Sequence, residues 1–245
     1  MTTAIRGKGR VMRPGGIRRA AWLAALWAAA APAGALTAAE IAARAGEVWT
    51  AEGAAVDDYI VHFVSVRYDG DGEEEQRYAG YNYFKKPNKT GQELTELYVK
   101  GEKRDPKKAE MDSESYDMAF PFDDEYRAAY TFETAGNATV AGKDCYILKF
   151  TSSKRTGNYI HGRVWVEADT YKVAALEASY YKNPKYITSL VAKMWFGDFD
   201  GHRLPQKMTA AGHYSAYLVF SGDFNIVETY DNYRVNVGVP DSKVR

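Results

Sequence analysis

Few residues of this chain have the type and spacing that catalysis demands. His62, His161, His202 and His213 are its four histidines, and no two stand at metal-ligand spacing. There is no Gly-x-Ser-x-Gly elbow and no phosphate-binding loop. His161 and Arg163 share a strand face with Trp165, and a strand histidine among aromatics reads as a structural residue. Asp69-Gly70-Asp71-Gly72-Glu73 begins like a calcium loop but lacks the remaining ligands and the closing bidentate glutamate; a hairpin turn accounts for it. The acidic groups Glu73 to Glu75 and Asp123 to Glu125 read as solvated, the alternative being the paired carboxylates of a glycosidase. Cys145 is the single cysteine, which excludes an internal disulfide and a thiolate metal cage. No catalytic, cofactor-binding or metal-binding set is expected, and the protein reads as a non-enzyme.

The elements around these residues begin with a leader. Arg6, Lys8, Arg10, Arg13, Arg18 and Arg19 precede an apolar run from Ala20 to Ala31, which ends in Pro32-Ala33-Gly34-Ala35. A basic start, a short apolar stretch and small residues at Ala33 and Ala35 predict a signal peptide over residues 1–35, cleaved after Ala35. The run is shorter than the roughly 20 apolar residues a membrane span needs. Met12 is an alternative start, and Arg18-Arg19 lacks the apolar partner of a twin-arginine signal, so export in the unfolded state is expected. The alanine-rich leader points to a bacterial periplasm. The whole chain has 32 basic and 32 acidic residues. Loss of the six basic leader residues leaves 26 against 32, a net of −6, which gives no electrostatic footprint for nucleic acid.

Residues 36–245 are expected to form a single domain. Thr37 and Glu40 make a capping box, and Ile41, Ala45 and Val48 follow at helical spacing up to Gly53. Antiparallel strands are then predicted over 58–68, 73–86 and 94–99. A charged excursion over 103–125 carries a weakly helical piece around 109–116, and excursions of that length generally have a task. Further strands are predicted over 127–133, 144–151, 159–167, 171–181, 186–199, 206–213, 214–221 and 224–235. No βαβ alternation appears, so a parallel sheet is not expected. Leu190, Ala192, Met194 and Phe196 make an apolar row by period-two alternation, as do Tyr214, Ala216, Leu218 and Phe220, and Tyr146, Leu148 and Phe150. A large sheet with one helix has more apolar face than that helix covers. Curved on itself, it would leave an apolar hollow of the kind that binds apolar ligands.

The order of several soft motifs resembles a known family. Phe63, the hairpin Asp69-Gly70-Asp71-Gly72, the strand Tyr81-Asn82-Tyr83-Phe84 and Lys85-Lys86-Pro87-Asn88 resemble the early strands of the periplasmic lipoprotein carriers, the LolA/LolB-like family. Gly142-Lys143-Asp144-Cys145-Tyr146-Ile147, Val164-Trp165-Val166-Glu167-Ala168-Asp169 and Asp200-Gly201-His202-Arg203-Leu204-Pro205 resemble the wider group of outer-membrane lipoprotein-sorting proteins. The resemblance spans the mature chain. It implies a mainly β fold, an incomplete (half) antiparallel β-barrel, with an N-terminal helix and a mid-chain helix or loop as a lid over the concave face. It also implies a periplasmic carrier or chaperone binding lipoprotein acyl chains or lipid, with an inner-membrane transporter and an outer-membrane acceptor as partners. No further domain is read after Val235, which disfavours the sensor members of the group. Phe63, Leu148, Trp165, Leu190, Met194, Phe196 and Leu218 are the expected apolar lining. Lys86 stands where carriers place the arginine that bonds the lid backbone. A lysine cannot form that planar fork, so closure is expected to be weaker or built differently. The competing readings are a protein-binding accessory module of an envelope system with a filled core, and a hydrolase with a carboxylate pair.

Overall fold

The chain begins its folded part with a self-capped helix. In the computed structural model, which describes residues 36–108, 118–216 and 220–245, helix α1 spans Ala38–Ala54. The expected capping box is present: the Thr37 hydroxyl accepts from the Glu40 amide at 3.2 Å, and the Glu40 carboxylate accepts from the Thr37 amide at 2.7 Å. Those bonds hold the Glu40 carboxyl below its ordinary range. Ile41, Ala42, Ala45 and Gly46 form the buried stripe. The helix carries no basic residue in its last turn. Lys86 supplies a cation from outside, donating to the Ala54 carbonyl at 2.8 Å, where the partial negative charge of the helix end favours it.

The strands are β1 (Asp58–Tyr68), β2 (Glu74–Lys85), β3 (Lys89–Val99), β4 (Glu102–Lys103), β5 (Tyr130–Val140), β6 (Lys143–Ser152), β7 (Ile160–Glu167), β8 (Val173–Tyr180), β9 (Ile187–Phe199), β10 (His202–Ala216) and β11 (Phe220–Val235). They form one antiparallel sheet in the order β4-β3-β2-β1-β11-β10-β9-β8-β7-β6-β5. All neighbours are adjacent in sequence except β1 and β11. The chain therefore meanders out to one edge, crosses to the other through the mid-chain excursion, and meanders back to meet β1. Edges β4 and β5 do not pair, so the sheet is an open half-barrel. The predicted turn after β1 is a tight one: the Asp69 carboxylate accepts from the Asp71 and Glu73 amides at 3.0 and 2.9 Å, and Gly72 takes φ of 82°.

Three strand boundaries differ from expectation. β3 begins at Lys89, five residues early, because the Lys86-Pro87 turn is tight enough for pairing to resume at once. β5 begins at Tyr130 and runs to Val140, after a 3-10 turn over Arg127–Ala129. The predicted break at His213/Tyr214 is absent. β10 continues to Ala216 and pairs with β11, which begins at Phe220, so Tyr214 and Ala216 belong to one strand and Phe220 to the next. The leader, the helical piece at 109–116 and Leu218 lie outside the described residues.

The sheet face that carries α1, here the inner face, holds the main core. Leu148, Phe150, Ile160, Val164, Val166, Leu176 and Phe196 pack there against Ile41, Ala42 and Ala45. The end of the mid-chain excursion joins the helix as cover. Phe122 is fully buried, and its ring stacks on Phe132 at 5.5 Å. Tyr130 donates its hydroxyl to the Ala119 carbonyl at 2.6 Å and accepts from the Ile160 amide; burial pushes the phenol up to about 12. Trp49 joins the pieces. Its ring stacks on Phe120 at 4.3 Å and meets Phe196 edge-on at 5.6 Å, while its indole N–H donates to Asp123 at 2.8 Å.

The rim is pinned by polar groups. Glu167, fully buried, accepts from Arg203 at 2.6 Å and from Lys143 at 2.9 Å. Arg203 also reaches Asp198, and Lys172 bridges Asp198 to Glu52 of α1 at 3.2 and 2.8 Å. A buried carboxylate needs such partners to offset the loss of its hydration. Beyond β11, Asn236 accepts from the Asp57 amide and donates to the Ala55 carbonyl, while the Asp58 carboxylate accepts from the Val237 and Gly238 amides. Trp49→Ala is expected to cost about 3 kcal/mol, through lost ring contacts and an Asp123 acceptor left without its donor. Trp49→Phe should recover most of the ring contribution but not the hydrogen bond. Urea unfolding midpoints at constant slope check both; an alanine variant as stable as the parent would show that the helix is not held at this residue.

Candidate functional site

Strand register assembles a long row on the inner face. Leu148 stands opposite Val164, Val164 opposite Leu176, and Leu176 opposite Met194. Met194 then faces Met208, Met208 faces Glu228, Glu228 faces Ser65, Ser65 faces Tyr78 and Tyr78 faces Leu97. The row crosses from β6 to β3. It is apolar over β6 to β10 and acquires polar members only at Glu228, Ser65 and Tyr78. Beside it, Gly162, Ala178, Ala192 and Ala210 face one another in turn across β7 to β10. Small side chains between the Leu176, Met194, Met208 row and Leu190 make that strip lower than its flanks.

Burial divides the face in two. Over β5 to β8, under α1 and the excursion, Leu148 and Val164 have no exposed area. Leu190, Ala192, Met194, Met208, Ala210 and Ile226 are only half-buried. The expected lining residues are distributed accordingly. Leu148 and Phe196 belong to the helix-covered core, and Phe63 on β1 is fully buried. Leu190 and Met194 stand on the half-buried strip. Leu218 lies outside the described residues. Trp165 is a correction: it pairs with Ile147 and Ala175, one position out of phase with Leu148 and Leu176, and so projects from the outer face, where the Lys193 ammonium sits 4.7 Å from its ring centre.

Sequence reasoning missed the polar group within the apolar row. Glu228 lies across from Ser65 and Met208, two positions from Tyr230 on the same face. Desolvation raises the Glu228 carboxyl above its ordinary range, with the nearby Tyr230 and Ser65 hydroxyls opposing that rise. Burial raises the Tyr230 phenol far above its own. Both side chains are partly accessible and yet desolvated, which is the signature of groups set in a recess rather than on a ridge. A signal was available: Phe224, Ile226, Glu228 and Tyr230 alternate strictly, with one acid in an otherwise apolar and aromatic phase.

The candidate chemical groups do not assemble into a catalytic set. His62 pairs with Asp231 at 2.8 Å and His213 with Asp223 at 2.7 Å, with the carboxylates largely exposed. Glu74 and Glu75 bind Arg77 and Arg67, and Asp124 binds Arg127. Cys145 is buried, and its thiol is raised chiefly by that burial, the opposite of what a nucleophile needs. Among the described residues no group of three or more His, Cys, Asp or Glu stands close enough to hold a metal ion.

No protein-family model and no curated protein matches the chain. Solved structures do. A DUF1329 family protein from Desulfovibrio piger is 16% identical over 85% of this chain and 97% of its own, with a TM-score of 0.53. The chain shares that fold. A LolA superfamily protein from Nitrosomonas europaea is 17% identical over 85% and 97% of the two chains, with a TM-score of 0.41. A putative outer-membrane lipoprotein-sorting protein domain from Vibrio parahaemolyticus is 12% identical over 82% and 96%, with a TM-score of 0.43. The fold class expected from the sequence is the one observed: a mainly β, open antiparallel half-barrel with one N-terminal helix.

Glu228 gives a pH-dependent test of the recess. A carboxyl raised in the fold binds its proton more tightly there than in the unfolded chain. The folded state is then favoured progressively as pH falls from the folded value towards the unfolded one. Glu228→Gln should be more stable than the parent at neutral pH, with the difference shrinking on acidification. Melting temperatures of the pair at neutral pH and near pH 4 check this; a gap that stays constant with pH would mean the carboxyl is solvated.

Proposed function

We propose that this protein is a non-enzymatic periplasmic carrier that holds acyl chains of lipoproteins or lipids on the half-buried inner face of β9 to β11. The observation that carries the reading is the low strip of Ala192 and Ala210 beside Leu190, Met194 and Met208, half-buried next to a helix cover. A hydrocarbon chain laid along that strip would leave water at about 0.8 kcal/mol per methylene, on the order of 10 kcal/mol for a fourteen-carbon chain before ordering costs. Glu228 and Tyr230 would face a polar end of the ligand. Buried Phe63, Leu148 and Phe196 would serve as the floor and the helix seat rather than as direct contacts.

In this reading α1 and the mid-chain excursion form the lid, and Lys86 is its fastener. The ammonium holds the Ala54 carbonyl and lies 3.3 Å from Asp57, so one side chain ties the helix end to the β2–β3 hairpin. The bond is a single point contact and not a planar fork, which suits a cover that must open. The chain would be exported by its leader, cleaved after Ala35, and exchange cargo between an inner-membrane transporter and an outer-membrane acceptor. Among the described residues no helix is long and apolar enough to cross a membrane.

The second reading is a protein-binding accessory module with a filled core. It is favoured by the closed packing under the helix, where side chains such as Phe122, Phe150 and Ile160 leave no exposed area. Native mass spectrometry of protein purified gently from periplasm separates the two. A carrier is expected to show lipid-mass adducts and to take up a fluorescent fatty acid. Met194→Glu should weaken uptake by at least about tenfold, since a carboxylate must be desolvated in the strip. Lys86→Met should speed both uptake and release. A clean apo mass with no probe uptake would overturn the carrier and leave the module.

A further inference from the structure

The outer face of the same sheet carries a second site, independent of the inner one. Register places Trp165, Ala175, Trp195 and Lys207 opposite one another in turn across β7, β8, β9 and β10. The neighbouring row is Lys149, Arg163, Glu177 and Lys193 across β6 to β9. Ala175 is only 1% exposed although it sits between two indoles on a face with no helix, because the larger side chains close over it. Lys193 lies 4.7 Å from the Trp165 ring centre and 5.1 Å from that of Trp195, and Lys207 lies 5.5 Å from Trp195 on its other side. The result is an alternating ladder of indole and ammonium. Beyond it, the β10 bulge at Gln206 opens a depression of about 560 Å³ whose lining includes Trp195, Gln206, Lys207 and Thr229.

The patch is basic on a chain whose 32 basic and 32 acidic residues balance. Four cations surround the indoles, against Glu177 at 3.9 Å from Lys193 and Glu133 at 4.0 Å from Lys149, both loose pairs. Arg163 and Lys207 have no ion pair among the described residues. Tryptophan and lysine are the side chains that combine an apolar body with a polar tip, and both settle at the boundary between water and hydrocarbon. An ammonium held on an indole face stays at the height of the ring, where phosphate groups would lie if the indoles entered the headgroup layer. An open depression beside them offers the Gln206 amide, the Thr229 hydroxyl and the Lys207 ammonium as donors, the chemistry a phosphodiester accepts.

We propose that the outer face of β7 to β10 docks the protein on an anionic phospholipid surface, with Trp165 and Trp195 entering the headgroup layer and Lys193 and Lys207 binding its phosphates. The proposal does not depend on cargo in the inner strip. Vesicles of phosphatidylcholine containing phosphatidylglycerol, compared with phosphatidylcholine alone, test it with the full chain by co-sedimentation and tryptophan emission. Preferential binding to the anionic vesicles with a blue-shifted emission is expected, weakening as salt rises. Lys193→Glu combined with Lys207→Glu should lower binding by about tenfold or more, and Trp195→Ala should remove most of the blue shift, both with unchanged far-UV circular dichroism. Met194→Glu should bind vesicles like the parent. Equal binding to both vesicle types, undiminished binding by the charge-reversed chain, or loss of binding in Met194→Glu would each overturn the proposal. The last result would assign the vesicle signal to uptake on the inner face.

Discussion

The structure is governed by a mismatch between one helix and one sheet. Eleven strands at about 4.8 Å spacing make a surface close to 50 Å across. A 17-residue helix is about 25 Å long and 10–12 Å wide, so it cannot cover the apolar phase of every strand. The sheet responds by curving, and the mid-chain excursion adds Phe120 and Phe122 to the cover. Even so, the cover is concentrated over β5 to β9. The strip from Leu190 to Ile226 is left half-buried, and that remainder gives the fold something to do.

Where the cover meets the sheet, polar contacts matter more than apolar area. Trp49 brings an indole into the core, but its N–H must find Asp123, whose own carboxyl is raised by the same burial. Glu167 is tolerated without exposed area because Arg203 and Lys143 meet it together. Little more than a turn beyond Trp49, at the C-terminus of the helix, Lys86 and Asn236 hold carbonyls that no helical amide can reach.

Much of this was legible in the residues, and the failures are informative. β1 was bounded correctly because the Asp69 turn is a local signal, and the helix start because Thr37 and Glu40 satisfy each other within one turn. The His213/Tyr214 boundary failed because Gly212 looks like a turn residue. Its glycine is needed for packing instead: a Cβ there would lie 2.8 Å from the Phe224 ring and 2.3 Å from the Ser189 carbonyl. Trp165 was assigned to the wrong face because alternation gives phase within a strand but not between strands. Only the pairing of Leu148 with Val164 sets which phase of β7 looks inward. Bulges at Gln206 and Thr95 add the same ambiguity to β10 and β3. Glu228 was readable from its own strand but not interpretable, since what makes it unusual is the recess around it.

The strict period of two has a further consequence. In β7 and β9, inward Val164 and Met194 alternate with outward Trp165 and Lys193, so neighbouring residues serve opposite faces. The two faces share backbone, and a sheet this wide transmits little from one to the other without changing its curvature. Curvature is set at the bulges, and Gln206 is at once the β10 bulge and a wall of the outer depression. A change of bend at that residue alters the shape of the outer depression and the distance between Met208 and its inner neighbours together.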